Sequence, residues 1–153
     1  MKTVILSALL SLGTLALSAQ NEPAIEQTKS EIKATFGQMP EIFAQLPEAA
    51  LPGFWAYFQS AANPNAAIPP KYRELIQLGV AAQIPCEFCV FYHTESAKAF
   101  GATEAEIKEA IYSAAATRNY STLLYGNQTD LESFKQSMRD MMAFMAEQME
   151  KNE

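Results

Sequence analysis

The chain has 153 residues, of which 49% are hydrophobic and 18% are charged, and its formal net charge is −6 at pH 7. This length is typical of one domain, and the apolar fraction is sufficient for a hydrophobic core that does not depend on many disulfides. The acidic balance and the lack of a basic stripe argue against a nucleic-acid partner, because phosphates are bound mainly by Lys and Arg.

Residues 1–19 have the pattern of a secretory signal peptide. Lys2 precedes an uncharged apolar stretch over 4–17, and the small residues Ser18 and Ala19 suit a cleavage point. The stretch is shorter than the ~20 residues that a transmembrane helix needs. We therefore expect a secreted or periplasmic protein whose residues 20–153 form a single helical domain, with no stable membrane anchor after cleavage.

Three helices are predicted in the first part of the mature chain. The first covers Asn21–Phe36 and stops at Gly37, a short second helix opens at Pro40, and the third covers Ala49–Ala62. In the second and third helices, apolar residues at helical spacing are expected to face inward. They are Ile42, Phe43, Leu46, Leu51, Phe54, Trp55 and Phe58.

Four more helices follow, and no segment shows convincing strand alternation, so the predicted class is all-α without a β-sheet. They cover Lys71–Gln83, about Cys86–Phe100, a stretch from the capping box at Thr103 to near Gly126, and about 130–150. In the first of these, the residues expected to face inward are Leu75, Ile76, Gly79 and Val80.

The last predicted helix carries a stripe of methionines at helical spacing. The stripe favours core or subunit packing, since methionine fills irregular apolar surfaces. A thioether site for Cu(I) is the alternative, because soft ligands suit that ion. The apolar positions are Leu131, Phe134, Met138, Met141, Met142, Met145 and Met149.

Both cysteines and the only histidine of the chain lie within eight residues, in the pattern Cys86-x-x-Cys89-x-x-x-His93. On a helix these positions share one face. A helix N-terminus lowers the pKa of C-x-x-C thiols, and a histidine one turn away from Cys89 can take its proton. A disulfide across two intervening residues constrains little of the unfolded chain, so the pair favours redox chemistry over a structural role.

The residues alone leave open which cysteine attacks. The helix dipole favours Cys86, which is nearer the helix start, whereas the neighbouring histidine favours Cys89. Two other interpretations compete with the redox one. The Cys86, Cys89 and His93 cluster, with a carboxylate as fourth ligand, could hold zinc, or the three side chains could be part of an inert scaffold.

The motif and the residues after it resemble the carboxymuconolactone decarboxylase family, most closely its alkyl hydroperoxidase D-like branch. That branch has a glutamate twelve residues before its first cysteine, where this chain has Glu74. The resemblance covers about residues 39–126, and beyond Glu74 it rests on Cys86, Cys89, His93, Ala97, Gly101, Ala102, Thr103, Glu106 and Ile107.

The resemblance implies an alkyl hydroperoxidase D-like helical bundle, a homo-oligomer and an enzyme of the peroxidase or disulfide oxidoreductase type. It implies a proton relay from Glu74 through His93 to the thiols, with Cys89 as the peroxide-reactive or partner-linked cysteine and Cys86 as proton donor and disulfide partner. Phe88 occupies the position of a second histidine found in related proteins. The expected partners are a hydroperoxide or a protein thiol or disulfide, and no cofactor or metal is expected.

Overall fold

The computed structural model describes residues 22–151, which contain helices and turns and no strand. The all-α prediction is confirmed, whereas the predicted signal peptide lies outside the described residues. The chain divides into two compact units, and the boundary in the sequence falls between Ala66 and Ala67. The single-domain interpretation stays a prediction. The helices are α1 over 22–36, α2 Glu41–Ala44, α3 Leu51–Ala61, α4 Pro70–Gln83, α5 Glu87–Ala99, α6 Glu104–Gly126 and α7 Leu131–Glu150, with a 3-10 turn at Glu48–Ala50 before α3.

The first unit is built around an aromatic core contributed by α1, α2 and α3. Phe43 is 3% exposed, and its ring centroid lies 5.4 Å from that of Phe58 and 5.6 Å from that of Trp55. The Trp55 Nε1–H donates a hydrogen bond to Glu31 Oε2 over 3.0 Å, which satisfies the polar atom of a side chain that is otherwise buried. Ile32 and Leu51 complete the buried cluster.

The second unit centres on α4, which packs against both α5 and α6. Gly79 of α4 packs against α6, since a Cβ there would lie 3.4 Å from that of Ala114, at van der Waals distance. Gln83 Nε2 donates to the Ala114 carbonyl over 2.9 Å, and Lys71 Nζ lies 2.7 Å from Glu106 Oε1. The start of α4 therefore contacts the start of α6, and the end of α4 contacts a later residue of α6. The two helices thus run in the same direction.

The helix boundaries in this unit are set by local signals that the sequence carries. Thr103 and Glu106 form the predicted capping box at the start of α6, with hydrogen bonds in both directions between side chain and backbone. Gly101 has φ of +83° just after α5, a conformation that glycine adopts without strain. Asp130 caps α7 by accepting a hydrogen bond from the Ser133 N–H.

Three inward-facing predictions are wrong. Ile42 is exposed because α2 has only four residues, one turn, whose buried residue is Phe43. Ile76 and Val80 are each 55% exposed. α6 packs against α4 at Gly79 and leaves these two residues, next to Gly79 on the surface of α4, uncovered. Among residues 22–151, no helix has the length and apolarity needed to cross a membrane.

Candidate redox site at the start of α5

The two cysteines form a disulfide at the N-terminus of α5. Cys86 and Cys89 are bonded through their sulfurs, with Cα atoms 5.3 Å apart, and both side chains are half-buried. Cys86 is the N-cap residue, and its Sγ accepts a hydrogen bond from the Cys89 backbone N–H over 3.2 Å. The pair therefore lies where the helix presents free N–H groups and partial positive charge to an anionic sulfur.

The sequence before α5 explains why the helix begins here. α4 ends at Gln83, and Pro85 lacks the backbone N–H that it would need to continue the helix. Cys86 has φ −101° and ψ 97°, the extended backbone of an N-cap. Its N–H donates to the Ala81 carbonyl over 3.3 Å, which ties the start of α5 to the end of α4.

The single histidine is held by a carboxylate from the neighbouring helix. His93 Nδ1 on α5 lies 2.7 Å from Glu74 Oε2 on α4, and the two side chains are only 19% and 15% exposed. An ionised Glu74 accepts a hydrogen bond from the Nδ1–H group, so Nε2 is the ring nitrogen left to exchange protons. The Tyr92 ring lies edge-on to the imidazole at 5.1 Å between centroids.

The structure brings the four predicted site residues to two facing helices. Cys86, Cys89 and His93 are at the start and on the second turn of α5, and Glu74 faces them from α4. Cys89 and His93 are four positions apart, which places their side chains on adjacent turns of one face. The catalytic roles assigned to the four residues stay predictions.

Three large apolar residues close to the cysteines in sequence have exposed side chains. Phe88, between the two cysteines, is 79% exposed, and Phe91 is 71% exposed. Ile84, just before the motif, is also exposed. From the sequence alone, Phe88 is notable only as a departure from related proteins, and Ile84 and Phe91 do not differ from other apolar residues. Their spacing gave no signal, because exposed and buried apolar residues look alike in a short helix.

Among residues 22–151, no group of three or more His, Cys, Asp and Glu side chains is arranged to hold a metal ion. In this oxidised state the two sulfurs are bonded to each other, and Glu74 is engaged with His93. The arrangement as it stands combines a disulfide with a carboxylate–imidazole pair, which suits proton transfer coupled to thiol chemistry.

Comparison with known proteins agrees with this architecture. A model of the carboxymuconolactone decarboxylase family matches residues 48–126. An uncharacterised protein of Cupriavidus necator is 30% identical over 82 residues, which are 54% of this chain and 68% of that protein. The crystal structure of the alkylhydroperoxidase AhpD core from Rhodospirillum rubrum is similar in fold, with a TM-score of 0.64 and 25% identity, over 77% of this chain and 90% of that one.

Proposed function

This chain belongs to the carboxymuconolactone decarboxylase family, and we propose that it is a thiol-dependent peroxidase that reduces organic hydroperoxides through Cys86 and Cys89. One observation carries the proposal. A disulfide lies at the N-terminus of α5, on the same helix as a histidine that is hydrogen-bonded to a glutamate of α4. The similarity to an alkylhydroperoxidase core supports the choice of substrate.

In the first step Cys89 gives its thiol proton to His93, and the resulting thiolate attacks the outer oxygen of the hydroperoxide. The O–O bond breaks, a Cys89 sulfenic acid forms, and the alkoxide leaves with a proton to become an alcohol. The His93 imidazolium supplies that proton and takes another from the Cys86 thiol, so Cys86 becomes a thiolate and His93 remains protonated. The N–H group that contacts Cys86 Sγ stabilises the thiolate that remains, so Cys86 suits the role of proton donor.

In the second step the Cys86 thiolate attacks the sulfenic sulfur of Cys89. The disulfide forms and hydroxide leaves, taking a proton from the His93 imidazolium to become water, while Glu74 stabilises the imidazolium before that transfer. The disulfide then returns to two thiols by exchange with a dithiol, which is itself oxidised to a disulfide. The cycle therefore consumes one hydroperoxide and one dithiol and yields an alcohol, water and a disulfide.

The test is hydroperoxide consumption with dithiothreitol as the dithiol and tert-butyl hydroperoxide as substrate. We expect turnover by the wild-type protein and none by Cys89→Ser. Cys86→Ser should permit one round of attack and leave a Cys89 sulfenic acid that dimedone labels. Equal turnover by the wild type and the Cys89→Ser variant would contradict the proposal.

Disulfide exchange with a protein partner is a second candidate function. The exposed apolar side chains of Ile84, Phe88 and Phe91 beside the disulfide favour it, because a polypeptide partner would cover such a patch. Replacing Phe88 with Ser should then slow oxidation or reduction of a reduced or scrambled protein substrate while leaving tert-butyl hydroperoxide turnover unchanged. If Phe88→Ser slows both reactions equally, Phe88 acts in the thiol chemistry that they share and not in binding a protein partner.

Zinc content separates these redox functions from the metal-binding alternative. Protein reduced with dithiothreitol and then freed of it should contain no stoichiometric zinc after incubation with the metal, followed by gel filtration. One zinc per chain, lost in the Cys86→Ser variant, would favour metal binding by the cluster. Unreactive thiols together with no zinc would favour the scaffold.

We further propose that the protein is exported and that it self-associates. Export is supported by the apolar stretch over 4–17, and N-terminal sequencing of protein from a secreted or periplasmic fraction should place the first residue near Gln20.

Self-association is supported by α7, whose described residues include none that is buried although Met142, Met145 and Met149 lie along one face. Light scattering at micromolar concentration should give a mass above that of one chain.

A further inference from the structure

A groove separate from the cysteines runs between α4 and α6 and has a volume of about 780 Å³. This volume is within the range of small-molecule sites. Gly79 is on the floor of the groove. Glu74 is five positions before Gly79 and therefore about 140° away from it around α4. The groove therefore lies on the side of α4 that faces away from the Glu74–His93 pair.

The wall that α4 contributes is apolar. Leu75, Ile76 and Val80 line it, together with the ring of Tyr72 at one end. Two of these residues, Ile76 and Val80, are exposed large aliphatic side chains, and covering them with an alkyl chain would remove apolar surface from water. The close approach of α4 to α6 at Gly79 and Ala114 makes the floor.

The wall that α6 contributes includes three hydroxyl side chains and one positive charge. Ser113, Thr117 and Ser121 are spaced by four residues and line the groove with Arg118. The Arg118 guanidinium has no ion pair or hydrogen-bond partner among residues 22–151. No other lining residue is charged, so no carboxylate of the lining cancels its potential in the groove.

We propose that this groove binds an amphipathic carboxylate, a small molecule with an alkyl chain and one carboxylate group. The carboxylate pairs with the Arg118 guanidinium, which suits that group through its planar set of donors. The alkyl chain lies along Ile76 and Val80. The lining of α6 from Ala110 to Ser121 spans about 17 Å, which accommodates a fatty acid of medium length. The site does not depend on the thiol chemistry, because it uses none of the four redox residues.

The test uses dansylaminoundecanoate, whose fluorescence rises in an apolar site, and its uncharged carboxamide. We expect saturable binding of the carboxylate at one probe per chain and affinity about tenfold lower for the carboxamide. Arg118→Gln should lower the affinity for the carboxylate about tenfold and leave that for the carboxamide unchanged. Arg139→Gln, on α7 and outside the groove, is the matched control and should change neither.

A second variant tests the apolar wall. Val80→Glu places a carboxylate where the alkyl chain lies and should weaken binding of both probes more than tenfold. Tyr112→Glu, at an exposed position of α6 outside the groove, should have no effect. Circular dichroism of each variant shows whether it folds, and the Arg118→Gln comparison stands alone if Val80→Glu does not.

Two results would overturn the proposal. Equal affinity of the wild type and Arg118→Gln for the carboxylate would show that no carboxylate site exists. Absence of probe binding, with sedimentation showing that Val80→Glu separates associated chains, would show that a second copy of the chain covers the groove instead.

Discussion

His93 Nδ1 on α5 lies 2.7 Å from Glu74 Oε2 on α4, although the two residues are 19 positions apart in the chain. Both side chains are largely removed from solvent, so the contact is protected from competition by water. The carboxylate fixes the orientation of the imidazole and its tautomer, as carboxylates do for histidines in metal and catalytic sites. This pair connects the packing of two helices to the chemistry proposed for the cysteines.

Replacing Glu74 with Gln should lower kcat/KM for tert-butyl hydroperoxide by about 10–100-fold. The amide can still accept a hydrogen bond from Nδ1, but it removes the negative charge that stabilises the imidazolium. His93→Gln should cost more, about 10²–10⁴-fold, because it removes the proton carrier itself. The measurement is steady-state kinetics with dithiothreitol as reductant.

The control for this prediction is Glu95→Gln on α5, the helix that carries His93. Glu95 is exposed and pairs with Lys98 at the surface, so its loss should leave kcat/KM within about twofold. The pH profile adds a readout that a purely structural effect would not change. Identical profiles for the wild type and Glu74→Gln would contradict a role of this carboxylate in proton transfer.

The Cys86–Cys89 pair should behave as a reversible two-electron couple. Both sulfurs are at the start of α5 and half-buried, within reach of a small dithiol. Equilibration with glutathione buffers followed by thiol trapping and mass spectrometry measures its potential. A reduction potential of about −270 mV would indicate a reductant, and one of about −120 mV an oxidant. A disulfide that no glutathione buffer reduces would contradict the redox interpretation.

Phe43→Ala should lower the free energy of unfolding by about 3–5 kcal/mol. Phe43 is almost fully buried, and its ring contacts four other aromatic rings of the first unit. Denaturant unfolding followed by the fluorescence of Trp55, the only tryptophan, reports on this core. Tyr57→Ala, at an exposed position of α3, should change stability by less than about 0.5 kcal/mol. Equal effects of the two substitutions would contradict the assignment of Phe43 to the core.

Acid should destabilise the second unit through Glu106. The hydrogen bond from Lys71, followed by those from Thr103, lowers the pKa of Glu106 from its ordinary value of 4.5 to about 2. Between these values the unfolded chain binds more protons than the folded one, so stability rises with pH in this window. The contribution is present above about pH 4.5 and is lost as the pH falls through about 2.

Lys71→Gln removes the largest cause of this pKa shift. The difference in stability between the wild type and this variant should therefore shrink as the pH falls from 4.5 toward 2. Lys108→Gln, a substitution of an exposed lysine on the same helix as Glu106, is the control and should leave the pH dependence unchanged. Urea unfolding at a series of pH values makes the comparison.

The sequence by itself determined the helices and the cysteine pair. The predicted segments Lys71–Gln83 and 130–150 differ from α4 and α7 by one residue at most, since prolines, caps and apolar periodicity are local signals. The disulfide was also within reach of sequence reasoning, because two cysteines at i and i+3 of one helical turn are close whatever the rest of the chain does. Glu74, in contrast, was singled out only through a family resemblance.

Only the tertiary structure decided which faces of those helices are covered. Periodicity identifies an apolar face, but the partner of that face is chosen by packing between segments distant in sequence. For this reason Ile76 and Val80, expected inside, are exposed beside the groove, while Glu74 meets His93 and Arg118 is left without a partner among the described residues. α6 packs on α4 at Gly79 and Ala114, and Glu74 is on the other side of α4, where it meets α5.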